Sequence, residues 1–315
     1  MSTERLSVVM PAFNAATTVR SAVASTLRQT VPVLEVIVVD DGSSDATAQV
    51  VNSIDDARVR LISQPNRGPS AARNAGIAAA RGEWVAFLDS DDLWLPRYVE
   101  SATAALRAAP NPGFAYTDAY VFHAGRGQVK RGSAMDALDP PPPDRASFLA
   151  ALLRRNFVFT SATVPGTVLA AVGGYDESLR LSEEYDLWLR ILVAGFDPLW
   201  MGGPLAVYRM HPGQTSHQIL AMKKTTARVY NGLRDEDMPS EEARRALRDR
   251  RAGADREVAI VAGEAGGASL ARRARNVLGA IRQRAGLTWS WYEQPPAEIT
   301  DAFGDLRSVD QIAQA

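Results

Sequence analysis

The stretch Glu83-Trp84-Val85-Ala86-Phe87-Leu88-Asp89-Ser90-Asp91-Asp92 decides how this chain is read. An unbroken apolar run from Trp84 to Leu88 ends in the carboxylates Asp89, Asp91 and Asp92. A short run of that kind suits a strand buried on both faces, which belongs in a parallel sheet covered by helices. Such sheets bind ligands outside the carboxyl ends of their strands, where these acids lie. Crowded carboxylates repel one another unless positive charge offsets them. A divalent cation with a taste for oxygen, Mg²⁺ or Mn²⁺, would do so. The plainer alternative is a solvated acidic turn capping the next helix.

The same strand-then-polar-turn pattern fills the first part of the chain. Strands are expected at Leu6–Met10, Val33–Val39, Val59–Ile62, Trp84–Leu88 and Phe114–Phe122. Between them, Thr17–Gln29 carries Val19, Val23 and Leu27 at helical spacing, and Ala46–Ser53, Pro69–Ala80 and Pro96–Ala108 read as further helices. Repeated β-α units predict an α/β fold with a mostly parallel sheet and flanking helices. After Phe122 the texture changes. Gly125–Pro143 is rich in Gly, Pro and Asp and reads as a loop or hairpin excursion. Arg145–Arg155 and Glu183–Ala194 read as helices, Thr163–Leu169 as a strand running into a short helix, and Leu199–Tyr208 as a strand. From about Ser216 the chain is Ala- and Arg-rich and largely helical in pattern.

Composition excludes several chemistries. The 315 residues are 46% hydrophobic and 23% charged, which is ordinary globular usage. Lys+Arg 35 against Asp+Glu 36 leaves a formal charge of −1, so no global attraction to nucleic acid is expected. Cys 0 rules out disulfides, thiolate metal sites and a cysteine nucleophile, and His 3 leaves little for a histidine-rich metal site. No run is long and apolar enough to span a bilayer, and the N-terminus has no signal-peptide pattern, so a cytoplasmic location is the expectation.

Three more segments carry candidate chemistry. Val38-Val39-Asp40-Asp41-Gly42-Ser43 ends a strand in acids that can accept a hydrogen bond from a base N–H or a ribose hydroxyl; it can equally cap a helix. Pro11-Ala12-Phe13-Asn14 places an aromatic ring at a strand end, where it can pack on a flat base or simply join the core. Asn66 to Gly76 opens a helix, whose N-terminus favours anions, and Arg73 adds a fixed positive charge; the bland alternative is a surface arginine.

Taken in order and spacing, Val8-Val9-Met10-Pro11-Ala12-Phe13-Asn14, Val38–Ser43, Arg73-Asn74-Ala75-Gly76 and Phe87–Asp92 resemble the nucleotide-sugar-binding half of inverting family 2 glycosyltransferases with the GT-A fold. The resemblance is strongest over about residues 5–125 and looser to about 215. It implies a catalytic domain over 1–215, with a nucleotide-sugar half at 1–122 and an acceptor half at 123–215, and a helical extension over 216–315. It implies that Phe13 and Asp41 recognise the base, that Asp89 binds the ribose, and that Pro11, Ala12, Ser90 and Arg73 complete the donor site. Asp91 would hold Mn²⁺ or Mg²⁺ on the diphosphate, and His211 of Tyr208-Arg209-Met210-His211 would approach the metal or diphosphate. The family's acid pair matches Glu183-Glu184, whose usual second member is Asp, the catalytic base; here that position is Glu184. Glu183 and Trp188 would face the acceptor. The bland alternative for the pair is that both glutamates complement a helix dipole.

The Gln-x-x-Arg-Trp signature of processive members is missing, so a non-processive transferase acting on a saccharide or lipid-linked saccharide is implied. A sugar-nucleotide pyrophosphorylase would want a Gly-rich loop after the first strand, where Pro11–Ala16 has no glycine. A non-catalytic nucleotide-sugar-binding homologue is the remaining alternative, supported by Glu184 in place of Asp. The Ser269–Gly286 stretch sets Arg272, Arg273, Arg275, Arg282 and Arg284 opposite an apolar face, a pattern of helices at anionic membranes. Arginines solvated on a packed helix would look the same.

Overall fold

The computed structural model describes residues 5–123, 128–131, 141–211 and 218–262. Its sheet is built on β1 (Leu6–Ala12), β2 (Glu35–Asp40), β3 (Val59–Ser63) and β4 (Trp84–Phe87), all paired in parallel. Every residue of β2 and β4 is buried, as the apolar runs require of strands covered on both faces. Between these strands run α1 (Val19–Leu27), α2 (Thr47–Asn52) and α3 (Pro69–Ala79). Val19 and Val23 bury the apolar stripe of α1, and Pro69 stands at the first turn of α3 as its fixed φ favours. Gly76 lets α3 lie directly on β1: a Cβ there would fall 2.3 Å from Val9 Cγ1.

Beyond β4 come the short β5 (Leu93–Trp94), α4 (Tyr98–Ala108), β6 (Pro112–His123), β7 (Gln128–Arg131) and α5 (Arg145–Arg154), then β8 (Ala162–Pro165), α6 (Gly166–Val172), α7 (Glu183–Val193) and β9 (Asp197–Met210). The strand order is β3-β2-β1-β4-β8-β6-β9-β5, with β7 on β6. The expected parallel sheet therefore holds over β1 to β4 and becomes mixed beyond: β8 runs antiparallel to both β4 and β6, and β9 parallel to β6. Antiparallel neighbours need no crossover helix, so β7, inside the Gly- and Pro-rich excursion, pairs directly with β6. Pro96 lies before α4 rather than in it, and its carbonyl accepts from Thr30 N at 2.8 Å. β5 is too short for any periodicity to reveal.

By its contacts the chain divides into two units. The sheet, α1–α4, α6 and α7 lie in one. The other holds α5 with α8 (Ile219–Gly232) and α9 (Glu241–Ala262). Within it, both α5 and α8 pack on α9, with Arg154 2.8 Å from Glu242 and Lys223 2.6 Å from Glu257. Thus α5, placed by sequence in the acceptor half, groups with the helices that follow residue 212. No helix among the described residues is long and apolar enough to cross a membrane. The arginine-bearing stretch 269–286 lies outside the described residues.

At the end of the sheet where β2 begins, Glu35 is fully buried. It accepts from Ser7 Oγ at 2.8 Å, Arg81 N at 2.8 Å and Arg60 Nη1 at 2.7 Å. Burial pushes its carboxyl up, but the bonds from Arg81, Arg60 and Ser7 outweigh this and bring it down to about 2. A depressed folded-state value means the unfolded chain binds the extra proton, so this stabilisation is complete above the ordinary carboxylate range and is lost as pH falls toward 2. Glu35→Gln is expected to cost about 2 kcal/mol at neutral pH, allowing for the solvent around the two arginines. Urea melts at pH 7 and pH 3 check this: the gap between the proteins should narrow at the lower pH.

Candidate active site

The order of the parallel strands reverses at β1, which lies between β2 and β4. That places the carboxyl ends of β1, β2 and β4 side by side at the topological switch point, where open α/β sheets take ligands. Phe13 sits past β1, 52% exposed, the one aromatic among the exposed large hydrophobic side chains of the described residues. The turn that presents it is fixed by its neighbour. Asn14 adopts φ 52, donates from its backbone to Ser43 Oγ at 2.9 Å and accepts from Ser44 N at 2.9 Å. Asparagine tolerates this left-handed geometry better than most residues. Pro11 and Ala12 lie within β1, half-buried and buried, and contribute backbone to the crest.

Asp41 is buried, and its carboxylate accepts from Gln64 Nε2 at 2.8 Å, Arg67 N at 2.9 Å and Gly68 N at 2.8 Å. It therefore ties the loop before α3 to the end of β2. Gly42 fits the same corner, with φ 76 and Asn66 N 2.8 Å from where a Cβ would stand.

Asp89, Asp91 and Asp92 follow β4 and each offers a carboxylate oxygen within 4.8 Å of the others. Ser90 between them is buried. Asp91 Oδ2 is 2.9 Å from His211 Nε2, which brings the two predicted metal residues together across 120 positions. Asp92 accepts from Arg209 N at 2.9 Å, while the Arg209 guanidinium donates to the Asp91 carbonyl and, at 2.9 Å, to Ser21 Oγ. Burial and then the neighbouring Asp91 and Asp89 hold the Asp92 carboxyl well above the usual range. Burial also raises Asp89, opposed by Arg73. Such crowding costs energy that a cation would relieve, and the donor set of carboxylate oxygens and one imidazole fits Mg²⁺ or Mn²⁺.

Arg73, on α3, is 2% exposed. Its Nη1 donates to Glu183 at 2.9 Å, and its Nη2 to Asp89 at 2.7 Å and to Glu184 at 2.6 Å. One guanidinium thus joins the acids behind β4 to the first turn of α7. Burial, reinforced by Glu183 and opposed by Arg73, raises the Glu184 carboxyl to about 8. A carboxylate so raised is a strong base for its type once it is ionised.

Trp188 is a correction. It is fully buried, its ring 4.9 Å from that of Phe114, so it belongs to the core and cannot meet an acceptor. A helical apolar face and an aromatic contact surface read alike in sequence, and packing decides between them. Sequence reasoning assigned no role to Arg209, Asn74 or Tyr175, and named Asp92 without using it. The Tyr-Arg-x-His context marked Arg209; nothing local marked Tyr175.

The Glycosyl transferase family 2 model matches residues 7–161. Succinoglycan biosynthesis protein ExoO of Rhizobium meliloti (strain 1021) is 53% identical over 102 residues, covering 31% of this chain and 29% of that protein, so the match spans under a third of that relative's length. Escherichia coli WfaP, a UDP-Glc:alpha-D-GlcNAc-diphosphoundecaprenol beta-1,3-glucosyltransferase, is 28% identical over 214 residues, covering 68% of this chain and 80% of that one. In fold, the mannosyltransferase PcManGT of Pyrobaculum calidifontis, solved with GDP-Man and Mn²⁺, is similar at a TM-score of 0.59 and 17% identity, covering 100% of this chain and 87% of that one. With these similarities set beside the sheet and its flanking helices, the chain belongs to glycosyl transferase family 2 and has the GT-A fold.

Proposed function

We propose that this chain is an inverting, non-processive transferase that moves a sugar from a UDP-sugar to an acceptor hydroxyl in polysaccharide assembly. The observation that carries the reading is the single arginine joining Asp89, at the head of the acidic group, to Glu184, whose carboxyl is raised. Donor-side acids and a base then share one site. Phe13 stacks on the base, and Asp41 shapes the loop against which the nucleotide rests. Asp89 accepts from the ribose, with Pro11, Ala12 and Ser90 lining the pocket and Arg73 near the diphosphate. Glu184 takes the acceptor proton as the acceptor oxygen bonds the anomeric carbon and the carbon–diphosphate bond breaks from the opposite side. Glu183 keeps Arg73 turned toward this pair.

Asp91 and His211 would hold Mn²⁺ or Mg²⁺, which supplies positive charge for the diphosphate. A UDP-sugar and a lipid-diphosphate-linked acceptor are supported by the name of WfaP, a polysaccharide product by that of ExoO, and a metal by the Mn²⁺ of PcManGT. Contact with anionic lipid through the 269–286 arginines would bring the enzyme to such an acceptor. One observation favours a second reading, a binder without turnover: Glu184 stands where the family's usual base is Asp.

The test presents UDP-sugars, Mn²⁺ and a diphosphoundecaprenol-linked saccharide in anionic vesicles. Sugar transfer with release of nucleoside diphosphate, and protein retained on the vesicles at low salt, are expected. Donor binding without any turnover would establish the binder instead, and protein that stays in the supernatant removes the membrane contact.

A further inference from the structure

The Arg73 guanidinium serves three carboxylates, yet among the described residues no backbone group holds it. Its Nε is buried with no hydrogen-bond partner among the described residues. What lies against it is the Tyr175 ring, with Arg73 Cζ 5.3 Å from the ring centroid. Tyr175 is 3% exposed, and its hydroxyl likewise has no partner. The ring is thus placed for its face and not for its polar tip. Phe87, on β4 just before the acidic group, meets it edge-on at 5.2 Å and 88°.

Tyr175 lies in the segment between α6 and α7, outside regular structure, and Asn74 holds it there. The Asn74 amide accepts from Tyr175 N at 2.9 Å and donates to Tyr175 O at 2.9 Å, pairing with both sides of one residue as a strand neighbour would. It also donates to Glu177 at 3.1 Å. The approach requires Gly174, which has φ +68 and would place a Cβ 2.7 Å from Asn74 Oδ1. Arg190 of α7 anchors the preceding carbonyls of Val172 at 2.7 Å and Gly174 at 2.8 Å. Asn74 adjoins Arg73 on the same helix, so one turn of α3 holds both the guanidinium and the aromatic platform beneath it.

We infer that Asn74 and Tyr175 are positioning residues for catalysis: Asn74 pins the Tyr175 backbone, the Tyr175 ring sets the plane of Arg73, and that plane orients Glu184 for proton transfer. The inference rests on the reading of Glu184 as the base. An amide pairing both backbone groups is replaced only partly by water, and a guanidinium held through its two Nη atoms, with no Nε partner among the described residues, is free to tilt about those bonds once its platform moves. Misplacement by about an ångström costs on the order of 10²-fold in rate when binding is untouched.

The test compares Asn74→Ala, Tyr175→Phe, Tyr175→Leu and Glu184→Gln in full-length enzyme, measuring kcat, donor KM and melting temperature. Asn74→Ala and Tyr175→Leu are expected to lower kcat by about 10–100-fold with KM within about threefold, while Tyr175→Phe, which keeps the ring face, retains most of kcat. The double variant Asn74→Ala/Glu184→Gln should be no slower than Glu184→Gln alone, because both act at one step. Equal losses in Tyr175→Phe and Tyr175→Leu, an unchanged kcat in Asn74→Ala, or additive losses in the double variant would overturn the inference. If Asn74→Ala does not fold, the Tyr175 pair carries the test by itself. A wild-type rate in Glu184→Gln would instead remove the base assignment, and this inference with it, a result distinct from failure of the Asn74 arm alone.

Discussion

Glu184→Gln is expected to slow transfer by about 10²–10⁴-fold while donor affinity stays near that of the wild type, the signature of a group used mainly in the transition state. Glutamine preserves the volume and can still accept from Arg73 but cannot take the acceptor proton. Burial, with Glu183 beside it, puts the Glu184 carboxyl near 8. The reactive carboxylate therefore grows about tenfold per pH unit up to that point, and kcat/KM should show an acid limb near pH 8 that Glu184→Gln lacks. The linked stability effect has the opposite direction. Between the ordinary carboxylate value of 4.5 and about 8 the folded chain holds a proton that the unfolded chain does not, so stability falls as pH rises through this window. Glu184→Asp, the commoner residue of the family, should retain part of the activity, its carboxyl one methylene further from the hydroxyl. Glu183→Gln should cost less than Glu184→Gln. Steady-state transfer by all three variants decides: a wild-type rate in Glu184→Gln, or abolition only in Glu183→Gln, defeats the assignment.

Asp91→Asn should weaken metal-dependent donor binding by at least tenfold, about 1.4 kcal/mol. Asparagine can still bond His211, which Asp91 meets at 2.9 Å, but it brings no charge to the acidic group. Calorimetry of a UDP-sugar with Mn²⁺ and with EDTA reads the effect directly. The wild type should lose affinity in EDTA, and Asp91→Asn should bind alike in both. Equal affinity of the wild type with and without metal would remove the cation from donor binding.

The parallel half of the sheet was legible because each strand from β1 to β4 carries its own local signature, an apolar run that ends in a polar turn. Pro69 was legible for the same reason, since it opens a helix, whereas the closeness of Gly76 to Val9 came only with the fold. What went unread had no local signature. β5 has two residues, and its pairing with Val207 and Ala206 lies more than a hundred positions away. α5 has an ordinary amphipathic pattern that says nothing of which body buries it. Trp188 shares its spacing with core and surface helices alike, and only the ring of Phe114 against it decides.

The sequence by itself determined which residue types stand at the strand ends: acids after buried strands, an aromatic after the first, an arginine on the third helix, and no cysteine. Residue type and period carry that information, because the side-chain repeat of a strand and of a helix is local geometry. Tertiary structure decided which of these groups act on one another. Arg73 reaches Glu183 and Glu184 across 110 and 111 positions, Asp91 reaches His211 across 120, and Asn74 fixes Tyr175 across 101. The Glu184 carboxyl takes its raised value first from burial and then from Glu183, against the pull of Arg73. Desolvation and charge pairing depend on what the folded chain brings near a group, and the cation that meets Glu184 arrives from a helix more than a hundred residues earlier.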